Sequence, residues 1–224
     1  MTGFITLVAA VLTIAAGAGL PSNCVGCSFA GRQLSGADLS GVNYVGVDFA
    51  RAVLRDANLR NANLTGVDFH QADLRGADLR GANLTGVDLD DALLGGTHFG
   101  AAKLIGVNLS RTDLHGLDFS GISMIGSDLR GVTAQAARFR GADLEGVDFA
   151  DADLREADLR DAKLCTRNRD GAVHCALLRG ANLRGADLRN ALLCDDGRES
   201  RDCRPVDAAT LRQGSRSDLD GAIL

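Results

Sequence analysis

Ala77-Asp78-Leu79-Arg80-Gly81, followed at once by Ala82-Asn83-Leu84-Thr85-Gly86, decides the fold of this chain. Stepping by five residues in both directions from Leu79, a large apolar residue stands at every position from Phe29 to Leu164, except at Ala134. Two residues before each, apart from Arg32 before Leu34, stands a small or apolar one, usually Ala or Val, as in Ala37, Val47, Ala57 and Val67. A period of five matches neither the 3.6 of a helix nor the 2 of a simple strand. A short, strict repeat of this kind specifies a solenoid.

Within a unit the first and third residues are two apart, so on an extended segment they point to one side. The residue between them points out. The last two turn a corner, where Gly is favoured because it tolerates φ > 0. Four corners close a square coil of twenty residues. The phenylalanines test that square. Phe29, Phe49 and Phe69 fall on one face, opposite Leu39, Leu59 and Leu79. The roles then exchange, with Phe99, Phe119 and Phe139 facing Leu89, Leu109 and Leu129, and Phe149 returns to the first face against Leu159. Each of the seven coils keeps one Phe, as constant packing volume demands.

These features resemble the pentapeptide-repeat family, and the resemblance implies an all-β fold, a right-handed quadrilateral β-helix. The match runs over residues 27–166 and resumes over 176–193 with Leu178, Leu183, Leu188 and Leu193 as central residues. It predicts about eight coils and, at strand spacing, a rod roughly 38 Å long. The reading gives a single domain over 21–224, with a loop at 167–175 and a cysteine loop and C-terminal cap at 194–224. The low aromatic content, 4% with no Trp, suits a narrow bore.

Residues 1–20 lie outside the repeat. Phe4 to Leu20 carries no charge and contains Ala16-Gly17-Ala18, a small-x-small pattern, so the segment reads as a signal peptide cleaved near Ala18. The alternative is a membrane anchor over residues 4–20, near the lower length limit of about 17 residues. A periplasmic or secreted location follows from either the signal peptide or the cysteines. Six cysteines cluster near the ends of the solenoid, an arrangement that reads as structural disulfides in an oxidising compartment. Exported members of the family show a C-x-x-C before the first coil and a Leu-Cys…Asp-Gly…Cys loop near the end. Cys24-Val-Gly-Cys27 and Leu164-Cys165…Asp170-Gly171…Cys175 are similar. The resemblance implies local pairs, Cys24 with Cys27, Cys165 with Cys175 and Cys194 with Cys203. Pairing of Cys165 with Cys194 and of Cys175 with Cys203 stays open, since the first two stack one coil apart. A Cys₄ zinc site is disfavoured, because Cys27 and Cys165 are six coil rises, about 29 Å, apart.

No catalytic constellation stands out. The chain has no G-x-S-x-G, no H-E-x-x-H, no P-loop and no dinucleotide fingerprint. His70, His98 and His115 fall on different faces and His174 falls in a loop. Asp recurs at the outward position, so paired carboxylates are a by-product of the repeat. A filled bore leaves no pocket for a small-molecule substrate. The reading is therefore a protein without enzymatic activity or cofactor. Asn63-Leu-Thr65 and Asn83-Leu-Thr85 match the glycosylation sequon only through the same repetition.

The outward positions sort by face. Asp48, Asp68, Asp88, Asp128 and Asp148 stack on the first face, with Asn108 interrupting, and form a candidate partner-binding acidic stripe. At about 5 Å spacing, adjacent carboxylates repel by on the order of 1 kcal/mol in water. The second and third faces set Arg55, Arg75, Arg155, Arg60, Arg80, Arg140 and Arg160 beside aspartates. The fourth carries Asn43, Asn63 and Asn83, then an exposed Ile105 and Ile125. Some family members mimic B-DNA, bind DNA gyrase and protect it from quinolones. Here the arginines dilute the charge, the net being −5. The preferred reading is an exported rigid scaffold or rod for an unknown protein partner, the runner-up a gyrase-directed mimic. Direct nucleic-acid binding is not expected, for want of a basic patch interleaved with aromatics. Homodimerisation through a solenoid end fits the pattern.

Overall fold

The structure is a computed structural model that describes residues 20–167, 173–194, 203–205 and 223–224. The expected signal peptide or anchor, and most of the residues of the expected C-terminal cap, lie outside the described residues. Among the described residues no helix is long and apolar enough to cross a membrane.

The chain winds into square coils, and residues twenty apart pair in parallel from one coil to the next: Asn58 with Asp78, Asp78 with His98. The unit around Leu79 shows the rule. Asp78 N–H donates back to Ala57 O at 2.9 Å and Leu79 N–H forward to His98 O at 2.8 Å. Ala82 N–H then bonds Leu79 O at 3.0 Å and closes the corner. That corner places Gly81 at φ 72°, and the equivalent Asn61 accepts φ 56°, since Asn is among the few side chains that tolerate the left-handed region.

Only a few stretches run long enough to be strands. Strand β1 (Asn23–Val25) pairs in parallel with β2 (Asn43–Val45) and aligns Cys24 with Tyr44. The repeat therefore begins one unit earlier than residue 27, at Ser22-Asn23-Cys24-Val25-Gly26. A Cys in the place of the central Leu masks that unit in the sequence. Strands β3 (Cys165–Arg167) and β4 (Val173–Cys175) form an antiparallel hairpin that leaves the coil after Leu164. The coil resumes at Ala176, and β5 (Leu192–Cys194) pairs antiparallel with β6 (Cys203–Pro205). Ile223 then pairs in parallel with Asp187 and starts a ninth layer on the third face. The stretch expected as a cap thus rejoins the ladder near its end.

The bore is filled from Phe29 to Leu188 by central residues, most of them wholly buried, with the Ala and Val partners between them. The ring columns stand as the volume argument requires. Phe29, Phe49 and Phe69 stack at 5.1 and 5.3 Å, and Phe99, Phe119 and Phe139 at 5.1 and 5.3 Å. Phe139 meets Phe149 edge-on at 5.8 Å, where the column crosses the bore. Three hydroxyl residues replace the usual inward Ala. Thr97 and Ser127 each reach a carbonyl of the preceding coil, Leu74 O at 2.8 Å and Leu104 O at 2.7 Å, and Thr112 bonds Leu109 O. Each of these buried hydroxyls is therefore satisfied.

Candidate functional site

The acidic column on the first face has a structural job as well as a charge. Ser28, Asp48, Asp68, Asp88, Asn108, Asp128 and Asp148 pair in sequence along the rod. In each coil one side-chain oxygen accepts the N–H two residues on: Ala50 to Asp48 at 2.9 Å, His70 to Asp68 at 2.8 Å, Asp90 to Asp88 at 3.0 Å, Ala150 to Asp148 at 2.9 Å. This is the Asx turn that makes Asp and Asn the natural choice before a corner. The five aspartates are half-buried. Asn108 does not interrupt the column. Its Nδ2 donates to Asp88 Oδ1 at 3.0 Å, while its Oδ1 accepts from Ser110 N–H at 3.1 Å. The repulsion expected of a bare carboxylate stack is further reduced by Arg130. Its Nη2 lies 2.5 Å from Asp128 Oδ2 and its Nε 3.9 Å from Asp148. Arg130 holds the Asp128 carboxyl below its ordinary range.

On the second and third faces the motif Asp-Leu-Arg folds each guanidinium back onto the carboxylate two residues earlier. Arg75 donates to Asp73 at 2.9 and 2.7 Å, and Arg55 from the coil before adds a third contact at 2.5 Å. Arg80 and Arg60 do the same to Asp78. Pairs at Asp153–Arg155, Asp158–Arg160 and Asp187–Arg189 repeat it. The hydrogen bonds from Arg75 and Arg80 hold Asp73 and Asp78 well below the usual carboxylate range. A depressed folded-state pKa stabilises the fold above the unfolded-state pKa, about 3.9, and that stabilisation disappears as pH falls through it toward the folded value. The melting temperature should thus hold down to about pH 5 and decline below pH 4, by about 2–4 °C for each kcal/mol lost. Asp73→Asn with Asp78→Asn should flatten the decline. A double variant whose acid profile overlays the wild type would exclude these pairs as its source.

The fourth face is the least charged. Asn63 Nδ2 donates to Asn43 Oδ1 at 2.7 Å and Asn83 Nδ2 to Asn63 Oδ1 at 3.1 Å, with Thr65 and Thr85 hydroxyls closing on Asn63 and Asn83 at 2.7 Å. The amides of both sequon asparagines are thus engaged within the ladder. Ile105 and Ile125 are half-buried, not exposed as expected, because neighbouring coils cover the corner.

Comparing the histidines only with each other misses one cluster. His70 and Asp90 stand twenty residues apart, the stacking interval, and His70 Nδ1 lies 3.6 Å from Asp90 Oδ2. His70, Asp90 and Asp91 offer ligand atoms within 4.8 Å of one another. Arg111 already bridges the two carboxylates, on Asp90 and, at 3.5 Å through Nε, on Asp91. A metal ion there would have to displace a guanidinium. His98, His115 and His174 are exposed and lie elsewhere. Disulfides join Cys24 to Cys27 and Cys165 to Cys175. Cys165 therefore has the local partner and not Cys194. The backbones of Cys194 and Cys203 are register partners across β5 and β6.

The family model for pentapeptide repeats matches eight copies, over residues 33–71, 62–100, 92–131, 135–166 and 174–195. The chain belongs to the pentapeptide-repeat family. Among solved structures it is similar to trypsin-treated QnrB1, a plasmid-mediated fluoroquinolone resistance protein, at 24% identity and a TM-score of 0.56, over 72% of this chain and 82% of that one. That likeness concerns the fold. It is similar in sequence to a pentapeptide repeat protein of the Arabidopsis thaliana thylakoid lumen, 32% identical over 55% of this chain and 68% of that one, with a TM-score of 0.33. HetL of the cyanobacterium Nostoc sp., involved in regulating heterocyst differentiation, is 28% identical over 90% and 84%, also with a TM-score of 0.33. Among curated proteins there is no match.

Proposed function

We propose that this pentapeptide-repeat protein works outside the cytoplasm as a rigid, non-enzymatic rod that binds a protein along its side. The observation that carries this reading is the division of labour in the coil. The apolar residues fill the bore, and the outward Asp, Asn and Arg residues bond one another within and between coils, leaving a regular polar surface with little freedom to rearrange. A surface already ordered loses little entropy on binding. The disulfides of Cys24–Cys27 and Cys165–Cys175 support an oxidising location. The column Asp48, Asp68, Asp88, Asp128 and Asp148 is the side we assign to the partner.

The same column favours a second reading, mimicry of DNA toward gyrase. A mimic needs a continuous acidic field, and here Asn108 is neutral while Arg130 lies against the column. Such a field fades beyond a Debye length of about 8 Å at physiological salt. Two measurements on protein isolated from its native source test the choice. The mature N-terminus should lie near Gly19 with the cysteines oxidised, and the mature chain should leave gyrase supercoiling unchanged at micromolar concentration. An intact N-terminus with free thiols would overturn the export reading. Gyrase inhibition that is lost on changing Asp68, Asp88 and Asp128 to Asn would establish the mimic instead.

A further inference from the structure

The ladder between coils is not uniform. With the first coil taken as residues 28–47, the fourth spans 88–107 and the fifth 108–127. Between the third and fourth coils, the N–H groups of Gln71, Leu74, Gly76, Leu79 and Gly81 all reach carbonyls of the next coil, at 2.8–3.1 Å. Between the fifth and sixth, those of Arg111, Leu114, Gly116, Phe119 and Gly121 do likewise, at 2.7–3.2 Å. Between the fourth and fifth, among the described residues, the equivalent groups of Asp91, Leu94, Gly96, Phe99 and Ala101 make no such bond, nor do Asp113 and Asp118 in the return direction. Asp73–Leu93 and Asp113–Thr133 pair on either side, yet Leu93–Asp113 and His98–Asp118 do not. The first face stays closed at this level, and the fourth keeps its forward bonds although, among the described residues, Ser123 N–H makes no return bond to Ala102 O. Leu89 N–H reaches Asn108 O at 2.8 Å, Gly106 N–H reaches Ile125 O at 2.9 Å, and Asp88–Asn108 and Lys103–Ser123 are paired. The result is a seam across two adjacent faces, joined along the other two.

The seam has causes in the sequence. Gly95 and Gly100 stand where other coils carry Arg, His, Gln or Ser in the corner, and Gly weakens an extended segment. Thr97, two residues on from Gly95, donates to Leu74 O at 2.8 Å and ties this stretch to the coil before. The bore stays shut all the same: Phe99 and Phe119 stack at 5.1 Å. Where the seam begins, at the first corner, one ion cluster spans it. Arg111 of the fifth coil contacts Asp90 and Asp91 of the fourth, Ser110 Oγ donates to Asp90 Oδ1 at 2.9 Å, and His70 stands behind Asp90.

We propose that this seam is a hinge. The rod bends by opening the fourth and fifth coils on the second and third faces, about the bonds that persist on the first and fourth, and the Arg111–Asp90–Asp91 cluster latches it. Two stiff halves joined in this way can match a partner's curvature, although the hinge does not depend on the rod having that role. The latch is soft, because the Arg111 side chain is 62% exposed and exposed ion pairs are weak.

Amide hydrogen exchange followed by NMR on the full chain tests the proposal. The N–H groups of Leu94, Gly96, Phe99 and Ala101 should exchange at least about tenfold faster than those of Leu74, Gly76, Leu79 and Gly81. Equal rates would overturn the seam. Arg111→Gln should speed exchange at residues 91–118 alone, and no change, or a change spread along the rod, would overturn the latch. Bending is read separately, from distances between spin labels placed at Gln33 and Asp113 on the opening side and at Asn43 and Ser123 on the closed side. The first pair should show the broader distribution. Equal widths would reject the hinge.

Discussion

Leu79→Arg should abolish the native melt or lower its midpoint by on the order of 10 °C. Leu79 is fully buried, between Leu59 and Phe99 on the third face of the bore. Its backbone is fixed by the bond from its N–H to His98 O at 2.8 Å, so the side chain cannot swing out without breaking the ladder. Lysine and arginine side chains commonly escape burial by extending to the surface. A square bore walled on all four sides gives no such route. The cation would be unpaired in a dry interior, which costs about 3–5 kcal/mol. For a chain of this size each kcal/mol shifts the midpoint by about 2–4 °C. The fold adds a further consequence. In a solenoid each coil is held only by its neighbours, so a failed layer uncouples the two sides. The melt should broaden or split as well as fall. Leu79→Met, which keeps the volume, should cost less than about 1.5 kcal/mol. Circular dichroism melts of the two variants decide the matter. An Arg variant that melts with the wild type would mean that the side chain does not point into a closed bore.

Why the square coil is legible in the sequence, and the rest is not, follows from what kind of residue carries each feature. Leu79 and its relatives announce the register because an inward position admits almost nothing but a large apolar group, so the signal repeats without slipping. The Phe columns add the third dimension through volume alone. Cys24 shows the limit of that signal. It fills the central place above Tyr44, but a Cys does not read as a core Leu, and the first unit is hidden. The outward residues carry less information. Asp48 to Asp148 are legible as a charged column, whereas their role in bonding the N–H two residues on depends on the corner conformation, which composition does not express. His70 and Asp90 are separated by the stacking interval of twenty, so the signal for that cluster is present in the sequence. It joins two different residue types, and a search within either type alone passes over it. The seam is the least visible feature. Gly95, Thr97 and Gly100 keep the period of the repeat, so their departure from neighbouring coils gains meaning only beside the missing bonds.

Removing the Cys165–Cys175 disulfide should lower stability by about 2–3 kcal/mol, the value expected for cross-linking a short loop. The midpoint should fall by roughly 5–10 °C. The bond joins the register partners at the base of the β3–β4 hairpin, ten residues apart in sequence. That hairpin is where the chain leaves the seventh coil and re-enters the eighth, with Ala176 N–H on Leu164 O at 2.6 Å and Leu164 N–H on Leu192 O at 3.0 Å. Without the bond, the chain between Leu164 and Ala176 becomes an open loop whose closure must be supported by the eighth coil alone. That coil is the last complete one among the described residues, and layers at the end of a solenoid have fewest neighbours to hold them. The loss should therefore be local. Amides from Leu178 to Leu192 should exchange faster, while those around Leu59 and Leu79 keep their protection. Cys165→Ala with Cys175→Ala is the suitable variant, since Cys165 is buried and Ser would add an unpaired hydroxyl there. The alanines also leave a small void, so a second measurement separates the two effects. Reducing the wild type should reproduce most of the shift without changing any side-chain volume. A reduced wild type that melts unchanged would assign the loss in the variant to packing and leave the disulfide no part in holding the eighth coil.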